Sequence, residues 1–338
     1  MKDFQKNTAG MFAWCITHFA IDFTCIALLS SRFADSSAYS VILYAVLYNG
    51  FAFAFQFPIG MLADLFGIHG RLSAVGCFAV SLGVFITSPI LMCTVIGFGN
   101  AMFHVGAAGQ ILNINKDKAA NIGFFVAPGA IGVFLGSRFS RIDMLIWAAS
   151  VALVFLGLLC VFHQRKNQSL PVSVTAKRIF CMIFLFLTVV LRAYVGNMLK
   201  YPFMKPIGPA FIFVLCVFMG KFIGGLCADR FGIFRFNCIV QPICVVLLTL
   251  SVIFPVTAFA AILLFNTTMA VCAYTVYRCF ACYPGATFGL TTFALYIGTL
   301  PEILNIGVID ATAVSVSILG ILSTAFLLAG IKCGEEAL

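Results

Sequence analysis

Two pairs of residues spaced four apart carry the polar chemistry of an otherwise apolar chain. His18 and Asp22 lie in THFAID (17–22), and Asn100 and His104 lie in GNAMFHVGA (99–107). On a helix a spacing of four puts both side chains on one face. A carboxylate beside an imidazole can take up, pass on and release a proton. Low dielectric favours the neutral acid, and an approaching cation favours the ionised one. Arg192, in LTVVLRAYVGN (187–197), and Lys221 are the cations left inside apolar runs. A charge at the centre of a bilayer costs about 2.5–3.5 kcal/mol on insertion scales, so each needs a partner, a wet cavity or a task. Structural roles stand beside these: His18 and His104 as hydrogen-bonded packing residues, Asp22 and Arg192 as permanently paired charges. Lys221 lies nearer an edge and can snorkel outward.

The elements that position these residues follow from composition. Of 338 residues, 62% are hydrophobic and 9% charged, with mean hydropathy +1.11. Soluble domains carry about 25% charged residues, so the chain reads as an integral membrane protein. The net charge of +9 is scattered between apolar runs and forms no basic face for nucleic acid. The fourteen cysteines fall mostly inside apolar segments, where a thiol behaves as a small hydrophobe. The one C-x-x-C pair, Cys279-Phe280-Ala281-Cys282, has no second pair and no Cys/His metal spacing beside it, so no metal and no cofactor is expected. No cleavable signal peptide is evident.

A helix needs about 20 apolar residues to cross a bilayer. Breaking the chain at charges, Pro and Gly clusters predicts twelve spans, near 10–30, 40–63, 72–87, 89–114, 119–140, 143–162, 179–200, 208–228, 236–254, 256–278, 285–304 and 311–331, the third of them short. The one long polar stretch, HQRKNQSLPVSVTAKR (163–178), reads as a linker. The expected organisation is a six-helix bundle over 1–165, a linker over 166–178 and a second bundle over 179–338. With the N-terminus cytoplasmic, thirteen Lys and Arg fall inside and five outside, which places both termini in the cytoplasm.

The two halves share a turn. QFPIGMLADLFGI (56–68) and KFIGGLCADRFGI (221–233), offset by 165, are identical at seven of thirteen positions, among them Gly60/Gly225, Asp64/Asp229 and Gly67/Gly232. The copies join spans two and three and spans eight and nine, equivalent places in parallel repeats. Two bundles that rock about a central site each need a rigid turn and a polar latch at such an edge.

Gly60-x-x-x-Asp64-x-x-Gly67 with Arg71, and Gly225-x-x-x-Asp229-Arg230-x-Gly232 with Arg235, resemble the loop signature of the major facilitator superfamily. The resemblance covers essentially the whole chain. It implies an all-α membrane fold of twelve transmembrane helices in two pseudo-symmetric six-helix bundles. It also implies that Asp64 and Asp229 latch the cytoplasmic side against facing helix ends and basic residues, with Lys221 as a further member. The first copy has Leu65 and Ile68 where basic residues are usual, which weakens that latch. THFAID, FQFPIGMLAD (55–64) and GFGNAMFHVGA (97–107) are similar to the fosmidomycin-resistance-like efflux branch, and GNAMFHVGAAG also to nitrate/nitrite carriers. Gly123-x-x-x-Ala127-Pro128-x-x-Ile131-Gly132 resembles a degraded antiporter signature; close helix packing at Gly123, Gly129 and Gly132 is the alternative.

The resemblance implies that spans one, four, seven and ten line a cavity. At 1.5 Å per residue, Asp22 lies about 18 Å and Arg192 about 20 Å from the cytoplasmic ends of their spans, His18 about 12 Å and His104 about 15 Å. Asp22 and Arg192 are then cross-bundle partners at midplane, and Asp22 with His18 or His104 carries a coupling proton. Substrate-binding candidates are Asn100, Tyr194, Asn197, Asn266 and Tyr274, with Thr267 and Thr268 beside them. Glu302, after Pro301, is equally a gate or a solvated carboxylate. The expected activity is secondary transport of a small solute, proton-coupled efflux of an anionic or amphiphilic molecule. Alternatives are uptake or exchange of a small anion such as nitrate/nitrite or an organic acid, and a non-transporting sensor or scaffold. No H-E-x-x-H, G-x-S-x-G or P-loop is present, so neither an enzyme nor an ATP-driven pump is expected. The expected partners are the solute, protons and the lipid bilayer, with no nucleic acid, for a monomer in the plasma (inner) membrane.

Overall fold

In hydrocarbon every backbone N–H and C=O must be paired within the segment, so a chain this apolar folds as helices. A computed structural model of the protein describes residues 2–34, 36–114, 117–162 and 172–338. Its helices are α1 (Lys2–Arg32), α2 (Ala38–Asn49), α3 (Gln56–Phe66), α4 (His69–Leu82), α5 (Pro89–Ile114), α6 (Ala119–Arg138) and α7 (Asp143–Phe162). They continue as α8 (Ala176–Met198), α9 (Ile207–Phe231), α10 (Ile233–Ile253), α11 (Ala258–Cys279), α12 (Pro284–Leu304) and α13 (Ala313–Glu335). Residues 163–171 of the expected linker lie outside the described residues, as do Lys116, Arg165 and Lys166 of the charge count.

Among the described residues, eleven helical segments are long and apolar enough to cross a membrane. One is α2 and α3 run together through a π-helical turn at Gly50–Ala54. The short apolar segment His69–Phe85 occupies the place of the short third span. The local sequence sets the ends. Pro89 and Pro284 open their helices, where the missing N–H has no partner to lose. Ser37, Thr175 and Thr312 cap α2, α8 and α13 by accepting from a backbone N–H in the first turn. Gly67 stands at φ 63 after α3, and Gly232 at φ 86 between α9 and α10, left-handed values that only glycine adopts cheaply.

Contacts cluster into two units. The first comprises Met1–Lys116, Pro128–Ser169 and Cys282–Phe293. In it α4 packs on α5 and α7, and α1 packs on the same two helices. The second comprises Asp117–Ala127, Leu170–Ala281 and Ala294–Leu338. There α11 packs on α9, α13 on α8, and α10 on both α13 and α11, around a core of Met198, Cys244, Leu248, Ala261 and Val316. α6 thus starts in the second unit and continues from Pro128 in the first, and α12 does the reverse at Ala294. Large side chains such as Phe85, Phe155 and Ile239 are exposed, as a lipid-facing surface requires. All fourteen cysteines are free thiols.

Candidate functional site

The repeated turn builds the same device in each unit. In the first, the Asp64 carboxylate accepts from the backbone N–H of Gly285 (2.9 Å) and Ala286 (2.8 Å), at the start of α12. In the second, the Asp229 carboxylate accepts from the backbone N–H of Ala119 (2.8 Å) and Ala120 (3.0 Å), at the start of α6. The first amides of a helix have no partner within it and carry the positive end of its dipole, so a carboxylate satisfies both. The glycine four residues earlier explains the spacing of the motif. A Cβ on Gly60 would run into the Gly285 backbone, and one on Gly225 would fall 2.5 Å from the carbonyl oxygen of Ala119. Glycine lets the helix start approach, and aspartate then holds it.

The copies differ in burial. The Asp64 side chain is fully buried, and His69 Nε2 stands 2.8 Å from its Oδ1. Leu65 and Ile68 bring no charge to this turn, but His69 supplies the donor that the resemblance does not mark. Asp229 is exposed, as are Arg230 and Arg235. Arg71 is exposed on the first turn of α4, and Lys221 is partly buried on α9.

The first unit gathers His18, Asp22, Asn100 and His104. His18 Nε2 is 2.9 Å from His104 Nε2 and 3.2 Å from Asp22 Oδ2, and Asp22 Oδ1 lies 3.7 Å from His104 Nε2. The Asn100 amide donates to Asp22 Oδ1 at 3.3 Å. His104 Nδ1 is 2.8 Å from the Asn100 carbonyl oxygen. A carbonyl only accepts, so Nδ1 carries a proton, and in the neutral ring Nε2 is left as an acceptor. One proton then sits between the two Nε2 atoms, carried by His18. A second proton placed on the Asp22 carboxylate would leave that bond intact and take the cluster from net charge −1 to 0. Both imidazoles are buried, and the Asp22 side chain is 15% exposed.

Counting rise along the spans puts Asp22 and His104 within about 3 Å of one another in depth. The structure brings their side chains together where α1 packs on α5. α6 packs over the cluster: a Cβ on Gly129 would collide with Asp22 Oδ2 and His18 Nε2, and one on Gly132 would fall 2.5 Å from the Phe19 carbonyl oxygen. In these two places the degraded antiporter signature serves close packing. A Cβ on Gly123, six residues before Gly129, would meet the Lys221 carbonyl oxygen within the second unit.

In the second unit Arg192 lines a cavity of about 310 Å³ with Asn197, Asn266, Thr268 and Thr299. Its guanidinium carbon lies 3.7 Å from the centroid of the Phe265 ring, a cation–π stack. Asn197 donates to the Ala193 carbonyl (2.9 Å) and to Thr299 Oγ1 (3.1 Å), and Asn266 to the Ile262 carbonyl (2.8 Å). Two candidates from the sequence stand elsewhere. The Tyr194 hydroxyl donates to the Gly307 carbonyl (3.1 Å) and accepts from the Ile309 N–H (2.8 Å), so it holds a loop instead of facing the cavity. Tyr274 is buried in α11 beneath Arg278. Thr267 is buried against Gln241. Glu302 pairs with Lys200. Asp22 belongs to the first unit and Arg192 to the second, and each has contacts within its own unit.

No protein-family model and no curated protein sequence matches the chain. Among solved structures, it is similar to the fucose:proton symporter FucP of E. coli, determined as a point variant, with TM-score 0.62 and 10% identity over 97% of this chain and 98% of that one. It is also similar to FucP, a major facilitator superfamily transporter, in the outward conformation, with TM-score 0.61 and 12% identity over 95% and 99% of the two chains. At these identities the likeness is one of fold. The chain is an all-helical integral membrane protein with the fold of the major facilitator superfamily transporters.

Proposed function

We propose that the chain is a secondary active transporter of the major facilitator superfamily that moves a small anionic or amphiphilic solute by alternating access, coupled to protons. The observation that carries this reading is the buried cluster of His18, Asp22 and His104, whose Nε2 atoms share a hydrogen bond at 2.9 Å. It can hold one added proton in a low-dielectric setting without rearranging, which is what a coupling site must do. Arg192 and its cavity supply a place for the solute in the other unit. Gly60, Asp64 and Gly67, with Gly225, Asp229 and Gly232, form the cytoplasmic latch, and Arg71, Lys221, Arg230 and Arg235 give that edge its positive charge. The protein works as a monomer in the plasma membrane with both termini in the cytoplasm.

The direction we infer is efflux in exchange for protons. The similar FucP is described as a symporter, which supports the opposite arrangement, so the experiment reads both. Purified protein in proteoliposomes is given an imposed pH gradient and a panel of anions and amphiphilic drugs. Flux of at least one solute should accelerate when the gradient opposes it, as in antiport, or accompanies it, as in symport. Asp22→Asn should remove that response, lowering gradient-driven flux at least tenfold. Undiminished gradient-driven flux in Asp22→Asn would falsify the assignment of the coupling site.

A further inference from the structure

Arg192 presents a physical problem in its own unit. Its guanidinium stacks on Phe265, but among the described residues no carboxylate of the second unit forms an ion pair with it. The acidic side chains there are Asp117, Asp229, Glu302, Asp310, Glu335 and Glu336; Glu302 pairs with Lys200, Glu336 pairs with Lys177, and Asp229 caps α6. A cation held within a membrane helix without an anionic partner is costly. The same side chain lines a cavity of about 310 Å³ whose other polar lining is neutral: Asn197, Asn266, Thr268 and Thr299. The stack on Phe265 fixes the plane of the guanidinium and covers one of its faces. Its N–H edges are left as the donors, and that fork matches a carboxylate in two parallel bonds.

Charge and size narrow the ligand further. One cation among neutral groups balances one negative charge, so a dianion would bring an uncompensated charge into the cavity. The volume lies at the bottom of the range for small-molecule sites, roughly 300–1,000 Å³. At about 30 Å³ for each water-sized atom, it holds on the order of ten non-hydrogen atoms. Val189, Val217, Ile262, Met269 and Leu295 give it apolar walls. From these features we infer that the cavity is a binding site for a small monocarboxylate with an apolar body, held by Arg192 and oriented by Asn266, whose amide donates one bond to its own helix and keeps a second N–H. This rests on the proposed function for its meaning in transport, but the binding itself belongs to one unit and can be measured without a membrane gradient.

The test is equilibrium binding to the purified full-length protein in detergent, by calorimetry and thermal shift. The probes are benzoate, its neutral isostere benzamide, and the dianion phthalate. Benzoate should bind, and benzamide and phthalate should each bind at least tenfold more weakly. Arg192→Gln should lose at least tenfold in benzoate affinity. Arg192→Lys keeps the charge without the planar fork, so it should fall between the two and guards against a folding defect in the glutamine variant. Phe265→Ala should weaken benzoate severalfold, since the guanidinium loses its platform. Benzamide binding as tightly as benzoate, phthalate binding more tightly, unchanged benzoate affinity in Arg192→Gln, or no benzoate binding at all would overturn the inference. Arg192-dependent benzoate binding without any gradient-driven flux would uphold this site while removing the transport reading. Gradient-driven flux of solutes that ignore Arg192 would do the opposite.

Discussion

Replacing Asp64 by Asn tests whether the repeated turn is a latch. The carboxylate accepts three bonds, from His69 Nε2, Gly285 N–H and Ala286 N–H, at 2.8, 2.9 and 2.8 Å. The amide keeps one acceptor oxygen and turns the other into an NH₂ group that faces a donor. One charge-assisted bond is lost outright and the others drop to neutral strength. At about 1.5–3 kcal/mol for a bond to a charged group, the sum is about 3 kcal/mol, or roughly 150-fold in the opening equilibrium. Asp229 accepts two bonds and is exposed, so water screens it and replaces what is lost. There the same substitution should cost about 1 kcal/mol, roughly fivefold. Hydrogen exchange reads both directly, because the bonded amides exchange only when the helix start opens. Asp64→Asn should speed exchange at Gly285 and Ala286 by about two orders of magnitude, and Asp229→Asn at Ala119 and Ala120 by less than one. Equal acceleration at the two helix starts, or none at α12, would refute the reasoning.

Other outcomes follow from the same geometry. Gly60→Ala drives a Cβ into the Gly285 backbone and should also speed exchange at the start of α12, whereas Gly67→Ala meets open space. The latter should cost only the left-handed conformation, about 1 kcal/mol in thermal or denaturant stability. Tyr194→Phe removes both hydrogen bonds to the loop after α12 and should raise proteolysis within 305–312 while costing about 1–2 kcal/mol. Gly129→Val pushes a branched side chain onto Asp22 and His18, and should abolish the pH response of flux even where the protein still folds. Lys200→Ala breaks a pair whose lysine is 74% exposed, and should change stability by less than about 1 kcal/mol.

The fold was legible because the bilayer imposes a length and a polarity that the sequence writes plainly. The spans expected at 89–114 and 143–162 coincide with α5 and α7, and the third span is short for the reason its composition suggests. Glycine and aspartate of the repeated turn were legible because each is needed as a side chain, or as the lack of one. Their partners were not. Gly285, Ala286, Ala119 and Ala120 contribute main-chain amides, which carry no residue signature. His69 carries no signal in the repeat because it stands one position beyond Ile68, where the matched stretch ends; its distance of five from Asp64, across a glycine turn, is the signal that marks it. The pairs His18/Asp22 and Asn100/His104 were visible as two helix faces. Their convergence depends on α1 packing on α5 with these two faces opposed, which spacing within one helix does not encode. Tyr194 illustrates the converse: a polar residue at the right depth on a cavity helix turned out to serve a loop.

The latch has an unusual genetic property, since the groups it grips are peptide nitrogens. A substitution at Gly285 or Ala286 leaves the N–H in place, so no exchange of charge across the contact can restore a lost aspartate. A screen for revertants of Asp64→Asn should therefore return changes at the turn itself or in the packing beneath it. Reciprocal swaps of acid and base, the usual signature of a gate made from paired side chains, should be missing from the harvest.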